Sequence, residues 1–212
     1  MKIGVIGASG KAGRCLAAEA LRQGHEVTAI VRDPKKVDKP DVAVLARDIF
    51  SLTPEDLAGF EVVIDAFKAP EGKEQQHRTS MDHLIGIFAE LQNVRLMVVG
   101  GAGSLYTDES RTERLMESKN FPPAFLPTAS NMGAAFEKLA ASATLWTYCS
   151  PAAMFDPGGK RTGTYTLGND VLILNRAGES YVSYADYALA MIDEVMRGKF
   201  RSKRFTVVSE RE

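Results

Sequence analysis

The sequence predicts an α/β domain built on a doubly wound, parallel sheet, and three observations carry that expectation. Short apolar runs alternate with longer stretches at helical spacing, and each parallel pair of strands needs such a crossover. The first run, Lys2 to Ile6, opens directly into Gly7-Ala8-Ser9-Gly10-Lys11-Ala12-Gly13 and then a helix. No internal repeat, low-complexity tract or linker interrupts the 212 residues, which read as a single domain.

The elements follow in order. After the glycine-rich turn, Ala12, Cys15, Leu16, Ala20 and Leu21 recur at helical spacing from about Lys11 to Arg22, and Gly24 closes that helix. Val27 to Val31 is a second strand, ending on Arg32-Asp33, and Pro34 to Lys36 is a surface turn. Val42 to Ala46 is uniformly apolar, as expected of a parallel strand covered on both faces. Thr53-Pro54-Glu55-Asp56-Leu57 reads as a short capped helix with proline in its first turn. Val62 to Ala66 is the fourth strand. A helix ending near Gln92 follows, with Met81, Leu84, Ile85, Phe88 and Leu91 as its buried stripe. Leu96 to Val99 is the fifth strand. An irregular stretch follows, with a short helix expected around Arg111 to Ser118, then a full helix from Asn131 to Ser142. Leu145 to Cys149 is the sixth strand. Short strands are expected at Tyr165–Leu167 and Val171–Leu174. Ser183 to Asp186 resembles a capping box and starts a final helix to about Arg197, and Phe205 to Val208 adds a last strand at the sheet edge.

Composition excludes several classes. A formal charge of -1 gives no reason to expect nucleic acid or an acidic membrane surface as partner. Cys15 and Cys149 lack metal or redox spacing and read as thiols of a reducing compartment. Residues 1–22 do not make a signal peptide, no run approaches the ~20 apolar residues of a membrane span, and a cytoplasmic location is expected. His77 and His83 are not spaced for one helical face, so no metal site is expected. With His25, they read as surface or cap residues.

Strand, glycine-rich turn, helix, strand and charged residue form the layout of a dinucleotide-binding unit. Its glycines let backbone lie against a pyrophosphate, while the helix presents free N–H groups to that anion. On this reading about residues 1–150 are a nucleotide-binding core, and about 151–212 a substrate-side extension. Ligands of such sheets lie beyond the carboxyl ends of the strands. The candidates there are Gly7, Ser9, Gly10, Lys11, Ala12, Gly13, Arg32, Asp48, Phe67, Lys68, Gly100, Gly101, Ala102, Ser104 and Pro151. Ser9 can reach phosphate, whereas Lys11 and Arg14 can equally be exposed side chains of the first turn. Arg32 stands where a carboxylate would take the ribose hydroxyls of NAD, and a guanidinium there favours a 2′-phosphate, hence NADP. Asp33 beside it keeps NAD open. Asp48 is equally readable as an acceptor for the adenine amino group or as a cap for Ile49 to Ser51. Phe67, Tyr106, Met154 and Phe155 are candidates for an apolar wall over a nicotinamide, or for plain core.

A dehydrogenase with its own acid usually pairs Tyr with Lys four residues on. Here the residues following Tyr106, Tyr148, Tyr165, Tyr181, Tyr184 and Tyr187 at that spacing are Ser110, Ala152, Asn169, Ala185, Ala188 and Met191. If the protein is an enzyme, a proton comes from another group or from solvent, or none is required, and Ser104 is the candidate hydroxyl.

The glycine turn, Val62 to Phe67, Val98 to Leu105, Trp146-Thr147 with Ser150-Pro151, and Ser183 to Ala188 together resemble the NAD(P)H-binding atypical short-chain dehydrogenase/reductases. They are most similar to the group named for NAD(P)H-flavin reductase activity and related to biliverdin reductase B. The resemblance spans essentially the whole chain. It implies a Rossmann fold, a GxxGxxG motif at Gly7, Gly10 and Gly13, and an NADP preference carried by Arg32. It also implies a nicotinamide near Gly101 to Ser104 and the Pro151 loop. Members of this group also lack the Tyr/Lys pair. Two functions of different class fit: an NAD(P)H-dependent reductase of a flavin, quinone or similar flat small-molecule acceptor, and a non-enzymatic NADP-binding redox sensor. An extended-type epimerase or dehydratase is disfavoured by the missing pair.

Overall fold

The computed structural model describes residues 1–37 and 42–211. The chain runs β1 (Lys2–Ile6), α1 (Lys11–Arg22), β2 (Glu26–Val31), β3 (Ala43–Ala46), α2 (Pro54–Leu57), β4 (Val62–Asp65), α3 (Gln76–Glu90) and β5 (Arg95–Val99). It continues through α4 (Leu126–Ala140), β6 (Trp146–Ser150), β7 (Met154–Asp156), β8 (Thr166–Gly168), β9 (Tyr181–Ser183), α5 (Tyr184–Arg197) and β10 (Lys203–Val208). The main sheet has the order β3-β2-β1-β4-β5-β6-β10-β8, and β7 pairs with β9 apart from it. All its neighbours are parallel except β8, which runs antiparallel to β10. Strand order reverses between β1 and β4, the place where a Rossmann-like sheet opens a crevice.

Two apolar layers cover the sheet. On one face Leu16 and Ala20 of α1 and Met191 and Ile192 of α5 pack on Ile3, Val5, Met97 and Cys149. On the other, Met81, Leu84 and Phe88 of α3 and Leu139 of α4 pack on Ile6, Val63, Leu96 and Trp146. The central strands β1 and β4 are apolar from Ile3 to Ile6 and from Val62 to Ile64 because both their faces are covered. Among the described residues no helix is long and apolar enough to cross a membrane.

Several boundaries differ from the sequence reading. Helix α4 starts at Leu126, not Asn131, because Pro127 fits the first helical turn, where no N–H is needed. Around Arg111 to Ser118 only a single 3-10 turn forms, Leu115–Glu117. Val171 makes one bridge to Tyr106 instead of starting a strand. Strand β3 is an edge strand with Val44 42% exposed, so its apolar run does not reflect cover on both faces. Conversely β10 is not the edge: β8 pairs beyond it, which explains its fully buried Phe205, Thr206 and Val207. The strands β7 and β9 were unmarked in sequence, since each is three residues of mixed polarity. Thr53 and Asp56 do form the reciprocal cap of α2.

One buried ion pair ties β5 to α5. The Arg95 guanidinium lies 2.5 Å from the Glu194 carboxylate and donates to Thr147 Oγ1 on β6 at 2.6 and 2.9 Å. Both charged side chains are almost fully buried, so each depends on the other for compensation. Arg95→Ala leaves Glu194 uncompensated and is expected to cost about 3–5 kcal/mol, measured by urea unfolding.

Candidate nucleotide-binding site

The site begins with the turn between β1 and α1. Gly7 has φ +72°, and its N–H donates to the Ile30 carbonyl at 2.9 Å. A Cβ on Gly7 would sit 2.8 Å from the Ala66 carbonyl oxygen, and one on Gly13 would sit 2.2 Å from the carbonyl oxygen of Gly7 itself. Glycine is therefore required twice: once to approach the exit of β4, once to let α1 start against the turn. Gly10 caps α1 with no side-chain hydrogen bond, and no acidic residue stands in the first turn. That leaves the first-turn N–H groups and the positive end of the helix dipole facing outward, a receptor for phosphate oxygens.

Beyond the turn lies a crevice of about 170 Å³ lined by Gly7, Ser9, Gly10, Arg32, Arg47, Asp48, Phe67 and Lys68, among others. It brings together residues from the ends of β1, β2, β3 and β4, which the sequence holds far apart. The Arg32 side chain is 75% exposed, and its Nε lies 3.9 Å from Asp48 Oδ2. Asp48 Oδ1 accepts the Phe50 N–H at 2.9 Å, so it caps the 3-10 turn Ile49–Ser51 and braces Arg32. Asp33 is committed to the next turn, accepting the Lys35 N–H at 3.1 Å. Arg47 was missed in sequence. It leans on Asp56 at 3.3 Å and adds a second guanidinium to the crevice.

On the far side of the switch point the ends of β5 and β6 interlock. A Cβ on Gly100 would meet the Tyr148 ring at 2.1 Å, and the Gly101 N–H donates to the Tyr148 hydroxyl at 3.3 Å. Gly101 also faces Met132 of α4. Lys11 is exposed, Ala12 half-buried, and Pro151 buried directly after β6. Ala102 and Ser104 belong to a 3-10 turn. Ser104 does not reach the crevice: it is 5% exposed, and its hydroxyl receives an N–H of Arg204 at 3.0 Å. Ser104 is thus not among the residues that line the crevice. Of the expected apolar wall only Phe67 lines the crevice. Phe155 packs on Tyr184 and Tyr187, and Met154 lies against Arg211.

Behind Phe67 the structure holds a polar group that the sequence reading passed over. Asp65, His77, Ser80 and Tyr148 line a cavity of about 20 Å³, the size of one water molecule, closed by Phe67, Met81, Val98, Met132 and others. His77 is 8% exposed, not a surface residue, and its ring packs edge-on against Phe67. Burial pushes the Asp65 carboxyl up to about 6, against the opposing hydrogen bond from the Phe67 N–H. Burial and the Lys68 charge hold His77 down at about 4, outweighing Glu74. Tyr148 rises to about 12, chiefly by burial and further by Asp65, against the Gly101 N–H and Arg204. The signal was there: Asp65 is a lone carboxylate closing the otherwise apolar strand Val62-Val63-Ile64.

These two shifts act on stability with opposite signs. The raised Asp65 makes the folded state bind more protons than the unfolded one, so its contribution falls as pH rises from about 4 to about 6. The lowered His77 makes the folded state bind fewer, so its contribution rises with pH between about 4 and 6.5. In urea titrations across this window, Asp65→Asn should leave a stability that climbs with pH. His77→Gln should leave one that falls.

Comparison with known proteins places the chain. The NAD(P)H-binding family matches residues 7–196. The Bacillus subtilis (strain 168) protein YwnB, itself uncharacterized, is 52% identical over 213 residues, covering 100% of both chains. A provisionally named NADH-flavin reductase from Streptococcus pneumoniae TIGR4 superposes with a TM-score of 0.94 at 39% identity, over 99% of this chain and 100% of that one. A provisionally named epimerase from Bacteroides thetaiotaomicron superposes at 0.85 with 34% identity, over 100% and 99%. With its glycine turn, open helix end and crevice at the switch point, the chain belongs to the NAD(P)H-binding family.

Proposed function

We propose that the protein is an NADPH-dependent reductase that delivers hydride to a flavin, a quinone or a similar flat acceptor. The observation that supports it most is the composition of the crevice. A glycine turn with an uncapped helix end lies beside two guanidinium groups, Arg32 and Arg47, at the outer strand ends. The residues present fit the cofactor. The backbone of Gly7, Ser9, Gly10, Lys11, Ala12 and Gly13 would hold the pyrophosphate, where a Cβ at Gly7 or Gly13 finds no room. Arg32, braced by Asp48, would take the 2′-phosphate through charge-assisted hydrogen bonds, with Arg47 beside it. Phe67 and Lys68 at the exit of β4, with Gly100, Gly101, Ala102 and Pro151 across the switch point, would seat the nicotinamide end.

The bound cofactor supplies the hydride. The protein's part is position and electrostatics, since a flavin or quinone accepts hydride directly. The missing Tyr/Lys pair suits an acceptor of this kind better than a sugar or alcohol, whose oxidation needs a dedicated base. The name borne by the Streptococcus relative points the same way.

Two measurements test this reading. The purified protein should oxidise NADPH in the presence of FMN, FAD or a quinone. Gly10→Asp, which places a carboxylate at the helix end, should abolish that turnover. Tight NADPH binding without oxidation of any acceptor would instead mark a non-catalytic nucleotide sensor. Arg32→Ala should weaken NADPH at least about tenfold while leaving NADH nearly unchanged. Equal losses for both nucleotides would remove Arg32 from its assigned role.

A further inference from the structure

We propose that Asp65 is the proton reservoir of the reduction, acting through the cavity behind Phe67. The inference rests on the reductase reading above. Its support is geometric. Asp65 closes β4 at the carboxyl edge of the sheet, next to the switch point, and is 5% exposed. Only its Oδ1 is engaged among the described residues, accepting the Phe67 N–H at 2.9 Å, and the carboxyl lines the small cavity. Phe67 borders both that cavity and the nucleotide crevice, so one ring separates the buried carboxyl from the place where the chemistry would occur.

Among the described residues, no lysine or arginine lines the cavity to serve Asp65 as a counter-ion. Its register partners are Ile6 on β1 and Val98 on β5. From α3 come His77, Ser80 and Met81; from α4, Met132 and Ala135; from β6, the Tyr148 hydroxyl. His77 is the one base among the residues lining this cavity and is kept neutral by its burial and by Lys68, with Glu74 opposing. Arg204 acts on Tyr148 from the other side. A carboxyl so placed keeps its proton up to about pH 6, well above an exposed aspartate, because ionising it would bury an unpaired charge.

The balance of the step is simple. Hydride from bound NADPH would bring the acceptor two electrons and one hydrogen. The acceptor's carbonyl oxygen or ring nitrogen becomes basic, and a new bond forms from it to hydrogen. The O–H bond of Asp65 would break in turn, its proton passing to a water in the cavity and from it, past the edge of the Phe67 ring, to the acceptor, and the resulting carboxylate would be reprotonated from solvent. Ser104, the hydroxyl singled out in the sequence, lines neither this cavity nor the crevice and is held by Arg204.

The test compares wild type with Asp65→Asn, which keeps the acceptor for the Phe67 N–H. NADPH affinity should stay within about twofold, while steady-state reduction of a quinone or FMN should slow about a hundredfold. Wild-type turnover should fall as pH rises through about 6, and the variant's should be flat there. A second measurement needs no variant: infrared spectra of the unliganded protein, labelled at its aspartate carboxyls, should show a protonated carboxyl band that titrates near the same pH. Unchanged turnover and pH profile in Asp65→Asn, or no protonated aspartate in the infrared, would overturn the proposal. Wild-type protein that reduces no acceptor would overturn the reductase reading beneath it, a result distinct from the other two.

Discussion

The structure depends on one close approach. The carbonyl oxygen of Gly7 and the Cα of Gly13 sit so near that a methyl group cannot fit between them, and Gly7 in turn lies against Ala66. This contact fixes where α1 begins relative to β1, and how β1 meets β4. The crevice exists because the strand order reverses at that pair, so the helices that follow the two strands diverge to opposite faces. Relaxing the contact would tilt α1, turn its N–H groups away from the crevice and loosen the layer that α1 shares with α5.

The site divides its charges by depth. At the mouth the cations are exposed and rest on exposed or half-buried acids: Arg32 on Asp48, Arg47 on Asp56. Such pairs contribute little to stability but leave guanidinium donors available to an anion. Behind Phe67 the opposite holds. Asp65, His77 and Tyr148 are all driven toward their uncharged forms by burial. The charged mouth and the uncharged interior thus lie side by side, in two separate spaces. Phe67 is the boundary, with its ring edge-on to Phe50 on the outer side and to His77 on the inner side.

Much of this was legible in the chain. The glycine turn, the alternation of strands and helices, and Arg32 at the end of β2 are local patterns, and local sterics decide them. What escaped detection was nonlocal. Edge status cannot be read from an apolar run, so β3 and β10 were assigned the wrong surroundings. Ser104 looked accessible because it follows a strand, yet Arg204, a hundred residues later, closes over it. His77 looked like a helix-start residue and is buried because Phe67 folds against it. Asp65 was visible as an anomaly in its strand. Its meaning required knowing that, among the described residues, no lysine or arginine lines its cavity.

The Asp186 carboxylate carries a consequence of its own. It is fully buried at the start of α5, where Ser183 Oγ accepts its N–H at 3.0 Å. The carboxylate does not complete the capping box. It accepts the N–H groups of Thr162 and Gly163 at 3.0 Å and the Thr162 hydroxyl at 2.9 Å, while Arg161 in the same loop reaches Glu19 on α1. The extension is thereby stitched to both helices of one face rather than hung from a hinge. The loop at 161–163 and the start of α5 therefore hold one another in place, and loosening either would loosen the layer that α1 and α5 share.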